Sequence, residues 1–296
     1  MRIIFVDRPQ CLDEQMVKDI EKIGEVKIFW DNPSKEELLQ RIHDTDIAVV
    51  ESAVIDAWVI QQSRGLRAIV AAATGYSNID VKAARGRRIK VYHVPGYATE
   101  AVTEHIIRMC LWVAERCSRG QSDGIICPVE LKGKAVGIIG MGRIGRSAAR
   151  ALRGIGMQIQ FYSTHKDDRQ QPGYLPIKKL LASSFIVIIC IPLRSNNKHF
   201  LNADKLAYLS PGTSIINISP AEVIDESALL PLLEHRILSG AALEDVHDAS
   251  IGRFQQVLLT HNRAWRSCES EMRFAKMLKM VLRSAVNGDD KYRVVR

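Results

Sequence analysis

The chain has 296 residues, 47% of them hydrophobic and 25% charged, with a formal net charge of +8. That length supports two domains with separate cores, and the composition is that of an ordinary globular protein, not a disordered or collagen-like one. No apolar run is long enough to span a membrane, Phe185–Ile191 being the longest, and no basic stripe interleaved with aromatics argues for nucleic acid as a partner.

From the N-terminus, Met1–Val6 leads directly into a strand, with no secretory pattern before it. Short strands are predicted at Ile3–Val6, Val26–Trp30, Ile47–Val50, Ala68–Ala72 and Lys90–His93. Helical spacing lies between them at Leu12–Ile23 and Lys35–Ile42, the latter capped by Ser34 after Pro33. Strand–helix alternation means a doubly wound α/β unit. It carries no glycine-rich loop of its own, so it is the lobe that does not hold a nucleotide.

Residues 99–119 read as one long helix, with an apolar stripe of Val102, Ile106, Met109, Cys110, Val113 and Cys117 and with Thr99 able to cap it. At 1.5 Å per residue it runs about 30 Å, enough to bridge two lobes. Residues 120–131 follow as a loop containing Pro128.

The second lobe opens with AVGIIGMGRIGRSAAR, residues 135–150. A buried β-branched strand runs into Gly140, Gly142 and Gly145 in G-x-G-x-x-G spacing, and then into a helix. Gly140 permits the tight turn, Gly142 lets backbone approach a pyrophosphate, and Gly145 lets the helix pack on the sheet. The diphosphate of a dinucleotide would lie on free N–H groups at the positive end of the helix. Strands at Met157–Tyr162, Phe185–Ile191, Ser214–Ile218, Gly240–Leu243 and Val257–Thr260 bring the count to six, as in a Rossmann domain. A helix over Glu271–Val286 is placed to pack back on the first lobe.

NAD binders place an acidic residue about 20 positions past the first glycine to hold the ribose 2′-OH. Here that place is taken by Ser163, followed by Thr164, His165 and Lys166. A missing carboxylate beside cations favours NADP over NAD; the alternative is an NAD binder that uses Asp167 or no acid at all. The six cysteines (Cys11, Cys110, Cys117, Cys127, Cys190, Cys268) contain no C-x-x-C pair. They read as reduced thiols of a cytoplasmic protein, with no metal site.

Several segments, in order, resemble the D-isomer-specific 2-hydroxyacid dehydrogenase family, whose relatives include glycerate and phosphoglycerate dehydrogenases and C-terminal binding protein. They are residues 73–105, 136–150, PGTSIINIS (211–219), VIDESAL (223–229) and VLLT-x-x-RAW (257–265). The resemblance implies two doubly wound parallel-sheet domains. Residues 1–98 with 268–296 would form a flavodoxin-like substrate-binding lobe, and 99–267 a Rossmann NAD(P)-binding domain that includes the bridging helix. It also implies a substrate carboxylate on backbone N–H groups at Ala73, Thr74 and Gly75, and a homodimer formed through the bridging helix. The expected cofactor contacts are Gly140, Met141, Gly142, Arg143, Ile144 and Gly145, then Ser163, Thr164, His165 and Lys166, then Ile191, Pro192, Ile218, Ser219 and Asp245. Glu244 competes with Asp245, because E-D spans one residue more than the family's single Asp.

The family's chemistry uses an arginine for the substrate carboxylate, a histidine to pass the proton and a glutamate to hold that imidazole. All three positions are altered here, to Pro220, Ser250 (or Ala249, by register) and Asn262. Asn262 can hydrogen-bond but cannot exchange a proton near neutral pH. His261 and His247 are the possible substitutes, with Asp248 and Arg194 as further charged groups near the strand ends. Two readings follow: an impaired oxidoreductase of small 2-hydroxy or 2-oxo acids, or a non-catalytic nucleotide-binding dimer that acts as a sensor or scaffold.

Overall fold

The computed structural model describes residues 1–116, 128–194 and 196–294. The predicted helical residues beyond Arg116, with Cys117, and the loop as far as Cys127 lie outside the described residues. The chain divides into two compact units, Met1–Ala98 with Ser267–Arg296, and Thr99–Arg266.

The first unit alternates β1 (Arg2–Phe5), α1 (Glu14–Glu21), β2 (Glu25–Ile28), α2 (Lys35–Ile42), β3 (Ile47–Val50), α3 (Ala57–Gln62), β4 (Ala68–Ala71), α4 (Val81–Gly86) and β5 (Lys90–His93). All strand pairs are parallel, in the order β2-β1-β3-β4-β5. Every residue of β3 and β4 is buried, as two covered faces require, whereas the edge strand β2 leaves Glu25 and Lys27 exposed. The helix starts follow from local chemistry: Asp13, Ser34, Asp56 and Asp80 each accept the N–H three residues on. Ser34 and Glu37 complete a reciprocal capping box.

In the second unit, α5 (Thr99–Arg116) precedes β6 (Ala135–Ile139), α6 (Arg143–Gly154), β7 (Gln158–Tyr162), α7 (Ile177–Ser183), β8 (Ile186–Ile189), α8 (Ala203–Leu206), β9 (Thr213–Asn217), α9 (Glu226–Glu234), β10 (Leu238–Leu243) and β11 (Val257–Leu259). The parallel order is β11-β10-β9-β8-β6-β7. There are six strands, but not the six of the simplest Rossmann plan. The third position has shrunk to a single bridge between Phe161 and Tyr174 beside β7, and β11 extends the far edge. The predicted stripe of α5 is buried at Val102, Ile106, Met109, Cys110 and Val113.

The chain returns to the first unit as α10 (Cys268–Asn287), which buries Phe274, Leu278, Val281 and Leu282. It starts a turn earlier than its apolar spacing predicts, because Ser267 and Ser270 cap it reciprocally. Gly288, at φ 73°, ends it in the left-handed conformation.

Candidate functional site

In the second unit the strand order reverses between β6 and β8, and in such sheets ligands gather at the carboxyl ends flanking the reversal. The glycine loop sits there. Gly140 has φ 102°, and a Cβ on it would lie 2.7 Å from the Cys190 carbonyl oxygen. A Cβ on Gly145 would lie 2.0 Å from the Gly140 carbonyl oxygen. The fold itself therefore demands these two glycines. Gly142 differs: its φ is −74°, any residue could adopt it, and no protein atom stands within 4 Å of its virtual Cβ. Its bare backbone caps the start of α6 beside open space, as a pyrophosphate cradle requires. The residues here fit a dinucleotide.

At the end of β7 the structure adds a residue the sequence reading missed. Ser163 is buried, and its hydroxyl donates to Asp168 Oδ2 at 2.6 Å while accepting the His165 N–H at 3.2 Å. Arg146, on α6, holds the other oxygen of Asp168 at 2.7 Å. The Ser163 hydrogen bond, with Arg146 behind it, outweighs burial and holds the Asp168 carboxyl below its ordinary value. Ser163 is thus an internal support, not an open contact, and the acid near β7 is Asp168, not the exposed Asp167. Thr164, His165 and Lys166 remain exposed around it.

Pro220, Ser250 and Asn262, the residues expected from the resemblance in place of an arginine, a glutamate and a histidine, follow β9, β10 and β11. Ser219 is buried, and its hydroxyl accepts the Ile191 N–H at 2.9 Å, tying the loop after β8 to the loop after β9. Pro220 follows, exposed. Ser250 lies in a 3-10 turn, Ala249–Arg253, with its N–H on Asp248. His261 and Asn262 are both exposed and left-handed, at φ 53° and 54°. His247 is exposed, with Nε2 3.5 Å from Glu222 Oε1, and its N–H donates to Glu226. Arg194 is also exposed.

Strand parity separates Glu244 from Asp245. β10 ends at Leu243, so Glu244 points inward and is 4% exposed, whereas Asp245 faces solvent with its Oδ1 on the Val246 N–H. Glu244 accepts from the Thr260 hydroxyl and, at 2.8 Å, from the Ala264 N–H. Burial pushes its carboxyl up, but the His105 ring beside it and the bonds from Thr260 and Ala264 outweigh that and hold it below the ordinary value.

In the first unit, Thr74 and Gly75 follow β4 on an exposed bend, and among the described residues their N–H groups find no acceptor. The reversal in this sheet lies between β1 and β3, and two carboxylates follow those strands. Asp7 is 2% exposed and accepts from the Glu51, Ser52 and Ala53 N–H groups. Glu51 accepts from the Gln10 N–H at 2.8 Å. Burial, with the Asp7 charge adding to it, raises the Glu51 carboxyl to about 7. Neither residue belongs to a motif, so nothing in the sequence singled them out.

The sequence model for the NAD binding domain of D-isomer specific 2-hydroxyacid dehydrogenases matches residues 101–267. A glyoxylate reductase of Korarchaeum cryptofilum is 30% identical over 300 residues, covering 93% of this chain and 90% of that protein. An acyclic imino acid reductase, solved with NADPH and D-Arg, superposes with a TM-score of 0.93 at 26% identity, covering all of both chains. A D-lactate dehydrogenase of Aquifex aeolicus, solved with NAD and lactic acid, superposes at 0.88 with 21% identity over all of this chain and 99% of that one, a likeness of fold.

Proposed function

The chain belongs to the D-isomer specific 2-hydroxyacid dehydrogenase family, and from that premise we propose that it reduces a small 2-imino carboxylate with NADPH and is poorly competent on 2-oxo acids. One observation carries this reading. After β9, β10 and β11 stand Pro220, Ser250 (or Ala249, by register) and Asn262, which the resemblance puts in the places of the family's arginine, glutamate and histidine, and none of them exchanges a proton near neutral pH.

The two substrate classes differ in what they need. Hydride addition to a ketone leaves an alkoxide, which must be protonated as it forms, and a general acid is typically worth about 10²–10⁴-fold there. A protonated imine already carries its proton. The hydride adds to carbon, the π electrons move to nitrogen, and a neutral amine leaves with no proton drawn from the protein. The bound nicotinamide supplies the hydride. What remains for this chain is to bind and orient, and in the second unit the Asn262 carboxamide offers a hydrogen bond. The imino acid reductase matched over the full length supports this reading.

Preference for NADP rests on Asp168, whose charge is taken up by Arg146 and Ser163, leaving His165 and Lys166 free to face a 2′-phosphate. We further propose a homodimer, in which a second copy covers the apolar face of α5 where Leu111 is 55% exposed. A cytoplasmic location is supported by the unpaired thiols of Cys110, Cys190 and Cys268; no helix among the described residues is long and apolar enough to cross a membrane.

The test is NADPH oxidation by the full chain with pyruvate or glyoxylate, each with and without methylamine. Turnover that requires the amine is expected. Robust turnover on the oxo acids alone, with a bell-shaped pH profile abolished by His247→Ala or His261→Ala, overturns the reading. The missing proton donor also favours a second reading, a nucleotide-binding sensor or scaffold. Tight NADPH binding with no turnover on either substrate class decides for it.

A further inference from the structure

The buried pair of Glu244 and His105 has no part in the chemistry above, yet its side chains are only 6% and 10% exposed. We propose that Glu244, faced by His105, is a positioning clamp that fixes the Thr260–Ala264 turn and so presents Asn262 to the reacting atoms. The part concerning Asn262 rests on the reading of this edge as the reductive site.

The geometry is specific. One residue grips the turn in three places. The Glu244 side chain accepts from the Thr260 hydroxyl at the start and from the Ala264 N–H at the end, and its backbone carbonyl accepts the Asn262 N–H at 2.7 Å in the middle. The turn needs such a grip, because His261 and Asn262 are consecutive non-glycine residues in the left-handed region, a conformation that local preferences do not maintain. The following residue, Arg263, is exposed, so little packing holds the turn from outside.

The other half of the clamp comes from α5. His105 Nε2 lies 2.9 Å from Glu244 Oε1, off the axis of its N–H, leaving that buried nitrogen without a linear hydrogen bond. On the far side of the ring, Arg108 Nη2 stands 3.3 Å from Nδ1. A guanidinium can only donate, so Nδ1 accepts and the ring proton lies on Nε2, facing the carboxylate. Arg108, His105 and Glu244 thus form a line from helix surface to turn, with positive charge at one end and negative at the other. A carboxylate this enclosed requires such compensation. The glutamate is also the length this sequence needs: an aspartate at 244 would be one methylene short of Thr260 and Ala264 together.

The clamp makes Glu244 a positioning residue, and its test must separate order in the turn from stability and from cofactor binding. Three full-length variants are compared with wild type: Glu244→Ala, Glu244→Gln and Asn262→Ala. Hydrogen exchange reads the Asn262 and Ala264 amides, NADPH fluorescence reads the cofactor Kd, and imine reduction reads kcat and KM. In Glu244→Ala both amides should lose protection and kcat should fall about 10²-fold, the scale of a roughly 1 Å misplacement, with the NADPH Kd nearly unchanged. Glu244→Gln, of equal length, should recover most of the protection and rate. Asn262→Ala should lower kcat with the Ala264 amide still protected. Unchanged amide protection in Glu244→Ala overturns the clamp. So does a parallel collapse of cofactor binding and melting temperature that glutamine does not relieve, since that marks a merely structural carboxylate. If wild type reduces no imine, the functional reading fails, and the exchange data still decide whether Glu244 holds the turn.

Discussion

Ser163 and Asp168 form a buried hydrogen bond of 2.6 Å at the end of β7, so the acid nearest the expected ribose site faces inward, bound to the protein. Its charge is balanced by Arg146, whose side chain is 49% exposed. A half-exposed pair of this kind is worth about 1 kcal/mol. Arg146→Ala should therefore release negative potential toward a 2′-phosphate and lower the NADPH-to-NADH affinity ratio about fivefold. Fluorescence titration of both cofactors against wild type and variant measures it. An unchanged ratio removes Asp168 from cofactor choice.

The glycine loop offers a cleaner contrast. The Cβ added by Gly142→Val meets no protein atom within 4 Å, so the variant should fold with its melting temperature nearly intact and lose most of its dinucleotide affinity. Gly145→Ala drives a Cβ to 2.0 Å from the Gly140 carbonyl oxygen and should destabilise the second unit before any ligand is added. Calorimetry with and without NADPH separates the two. A Gly142→Val protein that binds NADPH normally refutes the assignment of this loop.

Glu51 should make the first unit sensitive to pH. Its carboxyl is raised to about 7, by burial first and by Asp7 second, so the folded state holds that proton more tightly than the unfolded chain does. The associated stability is fully present below the ordinary carboxylate range and is lost as pH rises through about 7. Glu51→Gln keeps the neutral form at every pH. It should match wild type at pH 4 and exceed it at pH 8 by on the order of 2 kcal/mol, after allowance for partial exposure. Denaturant melts at the two pH values measure this, and equal differences at both exclude the titration.

Rebuilding the family's constellation with Pro220→Arg, Ser250→Glu and Asn262→His should restore little 2-oxo acid reduction. Ser250 lies in a 3-10 turn with its N–H on Asp248, which fixes where a glutamate there would point. Catalytic groups act as a unit, so a misplaced member forfeits most of the gain. The assay is glyoxylate reduction by the triple variant, and recovery of more than about 10²-fold over wild type would show that only side-chain identity had been lost.

What the sequence determined by itself was everything governed by near neighbours. The glycine spacing, the continuous apolar runs of β3, β6 and β8, and the cap at Ser34 depend on contacts within a few residues, so pattern alone places them. That Pro220 carries no cationic side chain and Asn262 cannot exchange a proton was legible for the same reason, because it is a matter of residue type. Tertiary structure decided what depends on which way a chain turns and what it meets. Whether Glu244 or Asp245 faces inward hangs on where β10 ends, since one residue of register exchanges the two faces of a strand. Asp168 reaches Ser163 only because a 3-10 turn folds the chain back beneath β7. Asp7 and the Glu51 N–H meet from positions 44 apart, joined by the parallel pairing of β1 with β3. His105 meets Glu244 across a whole domain. Charge, burial and hydrogen bonding act through space, and only the fold sets those distances.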